Sequence, residues 1–129
     1  MNICVIDDEK SLCTALASFI RRLGPYNVFT LTDSREELDF IRRHDIELLI
    51  TDVRMPYKSG LDIVCELKKN DIAIEIILIS GQSDIIESIN AIELGVHDFL
   101  TKPVDVTKIA RIVETIEKKK HKNPLSIST

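Results

Sequence analysis

The feature that most constrains this chain is a regular alternation of short apolar runs with amphipathic stretches. Ile3 to Ile6 reads as a buried strand. Leu12, Ala15, Leu16, Phe19, Ile20 and Leu23 follow at helical spacing and stop at Gly24-Pro25. Val28 to Leu31 is a second strand, after which Asp33 or Ser34 caps a helix whose apolar face includes Leu38 and Ile41 and whose end carries Arg42-Arg43. Ile46 to Thr51 is the third strand. A loop with Pro56 and Gly60 leads to a helix bearing Leu61, Val64, Cys65 and Leu67, and the strand Ile74 to Ile79 is apolar enough to be buried on both faces. Ser83 or Asp84 caps a helix through Ile85, Ile86, Ile89 and Ile92 that ends at Gly95. Val96 to Leu100 is the fifth strand, and Val106, Ile109, Ala110, Val113 and Ile116 define the last helix.

Five strands alternating with helices imply parallel pairing, because each strand returns to the same end of the sheet through a right-handed crossover. The expected fold is a doubly wound α/β sandwich with a five-stranded parallel sheet. At 129 residues the chain supports one core. One domain is expected over residues 1–117, with residues 118–129, basic and then polar, as a frayed helix end followed by a tail or linker.

Charge and cysteine content narrow the setting. Seventeen Lys and Arg against 21 Asp and Glu give a formal charge of −4, which argues against a nucleic-acid surface over the domain. Three cysteines, Cys4, Cys13 and Cys65, sit in apolar periodic segments, an odd number that reads as core packing in a reducing compartment. The first eight residues lack the basic region of a signal peptide, and no apolar run approaches the roughly 18 residues of a membrane span. A cytoplasmic location is the expectation.

In an open parallel sheet, ligands bind beyond the carboxyl ends of the strands, where strand order reverses. The strands end in Asp7-Asp8, in Asp52, in Ser80 and in Thr101-Lys102-Pro103. If the chain reverses after the second strand, Asp7, Asp8 and Asp52 crowd one crevice. At ~4 Å and an effective dielectric of ~20, each like-charged pair costs on the order of 4 kcal/mol, so the cluster calls for a cation or shifted pKa values. Oxygen ligands at a partly open site favour Mg2+. Lys102 reaches the same crevice, and with the Ser80 hydroxyl it describes a site for a phosphoryl group. No glycine-rich nucleotide cradle is present. An Asp carboxylate is itself a competent nucleophile, and Asp52 is the best placed.

Taken in order, Val5-Ile6-Asp7-Asp8-Glu9, Leu49-Ile50-Thr51-Asp52-Val53-Arg54-Met55-Pro56 with Gly60, Leu78-Ile79-Ser80-Gly81 and Asp98-Phe99-Leu100-Thr101-Lys102-Pro103 resemble the receiver domain of two-component response regulators over about residues 2 to 117. That resemblance implies a flavodoxin-like (βα)5 topology with strand order 2-1-3-4-5. It implies Asp52 as phosphoacceptor, supplied by a phosphohistidine on a sensor histidine kinase or by a phosphotransfer protein. It implies Asp8, Asp52 and the backbone carbonyl of Arg54 as Mg2+ ligands, with Asp7 acting through water. Lys102 would pair with the acceptor and then with phosphoryl oxygens, Ser80 would turn inward to bond them, and Phe99 would swing with Ser80. Phe99 lacks the hydroxyl many relatives carry there, so its contribution comes from packing. A cis peptide is expected between Lys102 and Pro103. The surface of helix four, strand five and helix five is where a partner or a second copy binds in related proteins, with no membrane and no direct nucleic-acid contact by this domain.

Blander readings compete residue by residue. Asp7-Asp8 can simply begin a helix, Lys102 can be a solvated lysine and Phe99 a core residue. Arg54 can tune water access to the site, while His44, His97 and His121 lack metal-ligand spacing. A competing class is a haloacid-dehalogenase-like phosphatase, which resembles D-x-D-x-[TV] at the first strand, where this chain has Asp7-Asp8-Glu9. A pseudo-receiver would lack one of the acids or the lysine, and here all are present.

Overall fold

The computed structural model describes the backbone of residues 1–81 and 85–128. In chain order the elements are β1 (Asn2–Ile6), α1 (Lys10–Arg21), β2 (Asn27–Leu31), a 3₁₀ turn at Ser34–Glu36 running into α2 (Glu37–Arg43), β3 (Leu48–Asp52), α3 (Gly60–Lys69), β4 (Glu75–Ser80), α4 (Ile85–Glu93), β5 (Asp98–Thr101) and α5 (Val106–Ser128). All strands pair in parallel in the order β2-β1-β3-β4-β5, a doubly wound, flavodoxin-like sheet. The register sets Asp52 opposite Ile79 and Ser80 opposite Thr101.

Alternate strand residues feed two cores. Ile3, Val5, Leu48, Ile50, Ile77 and Ile79 face α1 and α5, while Cys4, Ile6, Leu49, Ile76 and Leu78 face α2, α3 and α4. Both faces of β3 and nearly all of β4 are buried. Each fully buried Ile or Leu contributes roughly 1.5–3 kcal/mol relative to an exposed one, so this central pair is the rigid frame of the sheet.

The helices dock on somewhat different faces from those the apolar spacing predicts. In α1 the core residues are Cys13, Leu16, Ala17 and Ile20, with Ala15 exposed and Leu23 at 37% exposure beyond the helix end. That end is capped by Arg22 in right-handed helical geometry, two residues before Gly24. In α3 Ile63 is buried and Cys65 is exposed, which corrects the reading of Cys65 as core. In α4 Ala91 is fully buried, while Ile89 and Ile92 are 49% and 67% exposed. In α5 Ile112 joins the core and Val106 lies 40% exposed. The common reason is close packing: small residues such as Ala17 and Ala91 let a helix backbone approach the sheet, so they occupy contact positions that a hydrophobicity ranking assigns to larger neighbours.

Helix ends explain the strand starts. Ile46 N–H bonds the Ile41 carbonyl, Ile72 the Leu67 carbonyl and Val96 the Ala91 carbonyl, at 3.1, 2.9 and 3.2 Å. These are Schellman closures of α2, α3 and α4, with Asp45, Asp71 and Gly95 in the left-handed conformation at φ 49°, 57° and 84°. Ile46 and Val96 therefore close helices, and β3 and β5 begin two residues later than their apolar runs. The cap expected at Ser83 or Asp84 lies outside the described residues. At the carboxyl end, α5 stays helical past Lys118 to Ser128. Lys118 pairs with Glu114 one turn earlier, and Lys120 Nζ lies 2.5 Å from Glu47 Oε1 ahead of β3, so the helix carries no break at the expected 117/118 boundary.

Candidate functional site

β1 lies between β2 and β3, so the strand order reverses at β1/β3 and the two carboxyl ends open side by side. Asp7 leaves β1 with its N–H bonded to the Leu31 carbonyl at 3.1 Å. Its Oδ1 accepts the Glu9 N–H at 2.8 Å, which orients the carboxylate. Asp52 closes β3, and Val53 N–H continues the ladder to the Ile79 carbonyl at 2.8 Å. The loop 54–59 then doubles back, closed by Gly60 N–H on the Val53 carbonyl at 2.8 Å, and α3 starts under a reciprocal cap between Ser59 and Asp62.

The three acids meet at this edge. Asp7, Asp8 and Asp52 each offer an oxygen, and these atoms lie within 4.8 Å of one another. Asp7 and Asp52 are buried and Asp8 is exposed, so the cluster sits at the floor of an open mouth. Lys102, delivered by β5 and a cis Lys102–Pro103 bond, donates from Nζ to Asp52 Oδ2 at 3.1 Å and lies 3.6 Å from Asp7 Oδ2. Burial pushes the Asp7 carboxyl above its ordinary value, helped by the nearby Asp52 and Asp8 charges and opposed by the Glu9 N–H and Lys102. Burial alone would pull Lys102 down, but Asp52, Asp7 and Glu9 outweigh it and hold the ammonium above its usual range.

Three carboxylates against one ammonium leave two negative charges in a small volume. Hard oxygen donors at one open mouth are the donor set a small divalent cation such as Mg2+ takes, so the residues present fit that group.

The remaining predicted residues lie around this cluster. Ser80 is fully buried at the end of β4, where its carbonyl accepts the Lys102 N–H at 2.7 Å. Phe99 is half-buried on β5 against the α2–α4 core. Arg54 is exposed and its guanidinium bonds Glu87 Oε1 on α4 at 3.0 Å. His97 Nδ1 sits 2.8 Å from Glu75 Oε2, away from the acids.

Two features escaped the sequence reading. Glu87 is a pairing partner for Arg54 33 residues away, for which no local signal exists. Glu37, Lys58 and Glu66 form a second charged cluster beneath the 54–59 loop. The only sequence hint is Lys58 standing between Pro56 and Gly60, a charge in a short turn otherwise shaped by backbone constraints.

Comparison with known proteins agrees with this fold. A family model described as "Response regulator receiver domain" matches residues 3–114. An "Uncharacterized response regulatory protein" of Staphylococcus epidermidis is 32% identical over 126 residues, covering 96% of this chain and 49% of that protein. The "Response regulator protein TodT" of Pseudomonas putida is 40% identical over 101 residues, covering 78% of this chain and 44% of that protein. The chain thus spans about half the length of these relatives or less. Among solved structures, a response regulator receiver domain protein of Clostridium thermocellum superposes with a TM-score of 0.83 at 32% identity, covering 92% and 96% of the two chains.

Proposed function

The chain belongs to the response regulator receiver-domain family and is the receiver domain of a two-component response regulator, and from that premise we propose that Asp52 is its phosphoacceptor, loaded from a phosphohistidine with Mg2+ bound at the acidic mouth. The observation that carries the reading is the contact of Lys102 Nζ with Asp52 Oδ2 at 3.1 Å, inside a group of acids whose oxygens lie within 4.8 Å.

Asp8, Asp52 and the Arg54 carbonyl would hold the cation directly and Asp7 through water. Mg2+ there supplies charge neutralisation of the incoming phosphoryl oxygens. The chain's own residues do the rest. Lys102 restrains one Asp52 oxygen and lowers the cost of bringing an anion against a carboxylate. An Asp52 oxygen forms its bond to phosphorus as the P–N bond of the donor breaks, and the departing imidazole nitrogen keeps the electron pair and takes up a proton. The product has more oxygens than the carboxylate it replaces, and Lys102 and the Ser80 hydroxyl hold them best in one arrangement of the strand-four loop. Ser80 moving inward vacates room for Phe99, and the surface of α4, β5 and α5 changes for a partner or a second copy.

The domain is read as a signalling switch that catalyses only its own phosphorylation and dephosphorylation, working in the cytoplasm beside a histidine kinase or phosphotransfer protein. Among the described residues no helix is long and apolar enough to cross a membrane. Incubation with a small phosphodonor and Mg2+, followed by intact-mass analysis, tests the assignment. The wild type should gain one phosphoryl group and Asp52→Asn none. Full incorporation by the variant would move the acceptor elsewhere.

A further inference from the structure

Behind the 54–59 loop lies a charged cluster that the phosphoacceptor chemistry does not use. Lys58 Nζ lies 2.9 Å from Glu37 Oε2 at the start of α2, and 3.0 and 3.1 Å from the two Glu66 oxygens on α3. Glu37 is completely buried, and its Oε1 has no hydrogen-bond partner among the described residues. Glu37 is taken wholly out of water while Lys58 and Glu66 stay partly exposed; desolvating an ion in this way is expensive, and replacing buried ionic clusters by apolar residues is often neutral or stabilising. A cluster of this kind is weak support for stability and has to be considered for what it positions.

What it positions is the backbone beside Asp52. Tyr57 sits in the left-handed conformation at φ 72°, which an L-residue with a bulky side chain avoids, and the residue is 76% exposed. The next residue, Lys58, sends its ammonium inward between α2 and α3. Its N–H bonds the Pro56 carbonyl at 2.8 Å, and the same carbonyl accepts from the buried Ser34 hydroxyl at 3.2 Å. The strained turn is thus held by one long ionic anchor and one short polar one, and Arg35 covers the Tyr57 ring from outside, its guanidinium 4.0 Å from the ring centroid.

We propose that Lys58 is a positioning residue for the phosphoacceptor site: gripped by Glu37 and Glu66, it holds the 54–59 loop so that the Arg54 carbonyl is presented to the cation beside Asp52. The proposal rests on the reading of that loop as a Mg2+ ligand. The groups facing Glu37 are Lys58 from the loop and Glu66 from α3, with Arg42 of α2 acting in turn on Glu66. Burial and Glu66 push Glu37 up to about 7, so its charge, and its grip on Lys58, grows between pH 6 and 8.

Calorimetric Mg2+ titration of the whole chain at pH 6 and pH 8 decides the matter. Lys58→Met, confirmed folded by circular dichroism, should bind Mg2+ about tenfold more weakly, the lower end of what losing outer-shell support costs. Lys58→Arg should stay within about threefold of wild type, since a guanidinium can span the same two carboxylates. Glu37→Gln, which cannot titrate, should shrink the ratio of affinities at pH 8 and pH 6 by about threefold, a readout a merely structural role would leave unmoved. Wild-type Mg2+ affinity in folded Lys58→Met, or an unchanged pH ratio in Glu37→Gln, overturns the proposal. If Lys58→Met fails to fold, the Glu37→Gln ratio decides alone. A wild type that binds no Mg2+, or Asp52→Asn that still accepts phosphate, rejects the phosphoacceptor reading itself and takes the clamp with it.

Discussion

Gly60 backs directly onto the main chain of Asp52: a Cβ built at position 60 would lie 2.6 Å from the Asp52 carbonyl oxygen and 3.1 Å from Val53 Cα. Both of those neighbours are backbone, so neither can rotate aside. Gly60→Ala should therefore cost about 2 kcal/mol in urea unfolding and displace the acceptor strand end. A variant as stable as wild type would mean that α3 can slide away from β3.

Lys102 balances charge as well as contacting Asp52. Lys102→Met removes the ammonium that a cation at the acidic mouth would have to tolerate, so Mg2+ affinity should hold or rise. Phosphoryl uptake from a small donor should nonetheless fall about 100-fold, because the fixed cation for the incoming oxygens is gone. Paired Mg2+ titration and initial-rate measurements check this, and parallel loss of both quantities would assign Lys102 a purely structural part.

Stability should depend on pH through Glu37. Its folded value of about 7 lies above the ordinary 4.5, so between those values the native state binds more protons than the unfolded chain. The contribution of Glu37 is complete below about pH 4.5 and is lost as pH rises through 7. Relative to wild type, Glu37→Gln should gain on the order of 2 kcal/mol between pH 5 and pH 8. Urea unfolding at the two pH values measures it, and an equal difference at both would refute the assignment.

Helix α4 offers a contrast between neighbours. Ile92 is 67% exposed and Ala91 fully buried. Ile92→Ser should change stability by less than about 0.5 kcal/mol, whereas Ala91→Leu should cost about 2 kcal/mol by overpacking. Denaturant midpoints for the pair test which face the helix docks.

The alternation of strands and helices was legible because hydrophobic period changes at each element, and the meeting of acids at one edge followed from where strands end in a parallel sheet. The docked faces of α1 and α4 were not, because Ala17 and Ala91 earn their positions by smallness, which a hydrophobic ranking overlooks. Nor were the ends of α2 and α3. Asp45 and Asp71 take the left-handed closure that glycine advertises only at Gly95. Glu37 was hidden for a related reason: an acid opening a helix reads as a favourable dipole partner facing water, and its burial beside Lys58 is a product of tertiary packing.

Cys65 stands on the outer side of α3, next in the chain to Glu66, while Cys4 and Cys13 are sealed in the sheet layers. Burial pushes the Cys4 thiol up to about 12 and raises Cys13 as well, leaving both slow toward thiol reagents. A maleimide dye should consequently attach at one place on the native molecule. The unaltered polypeptide thus carries its own handle for a spectroscopic reporter, one residue from the carboxylate that grips Lys58.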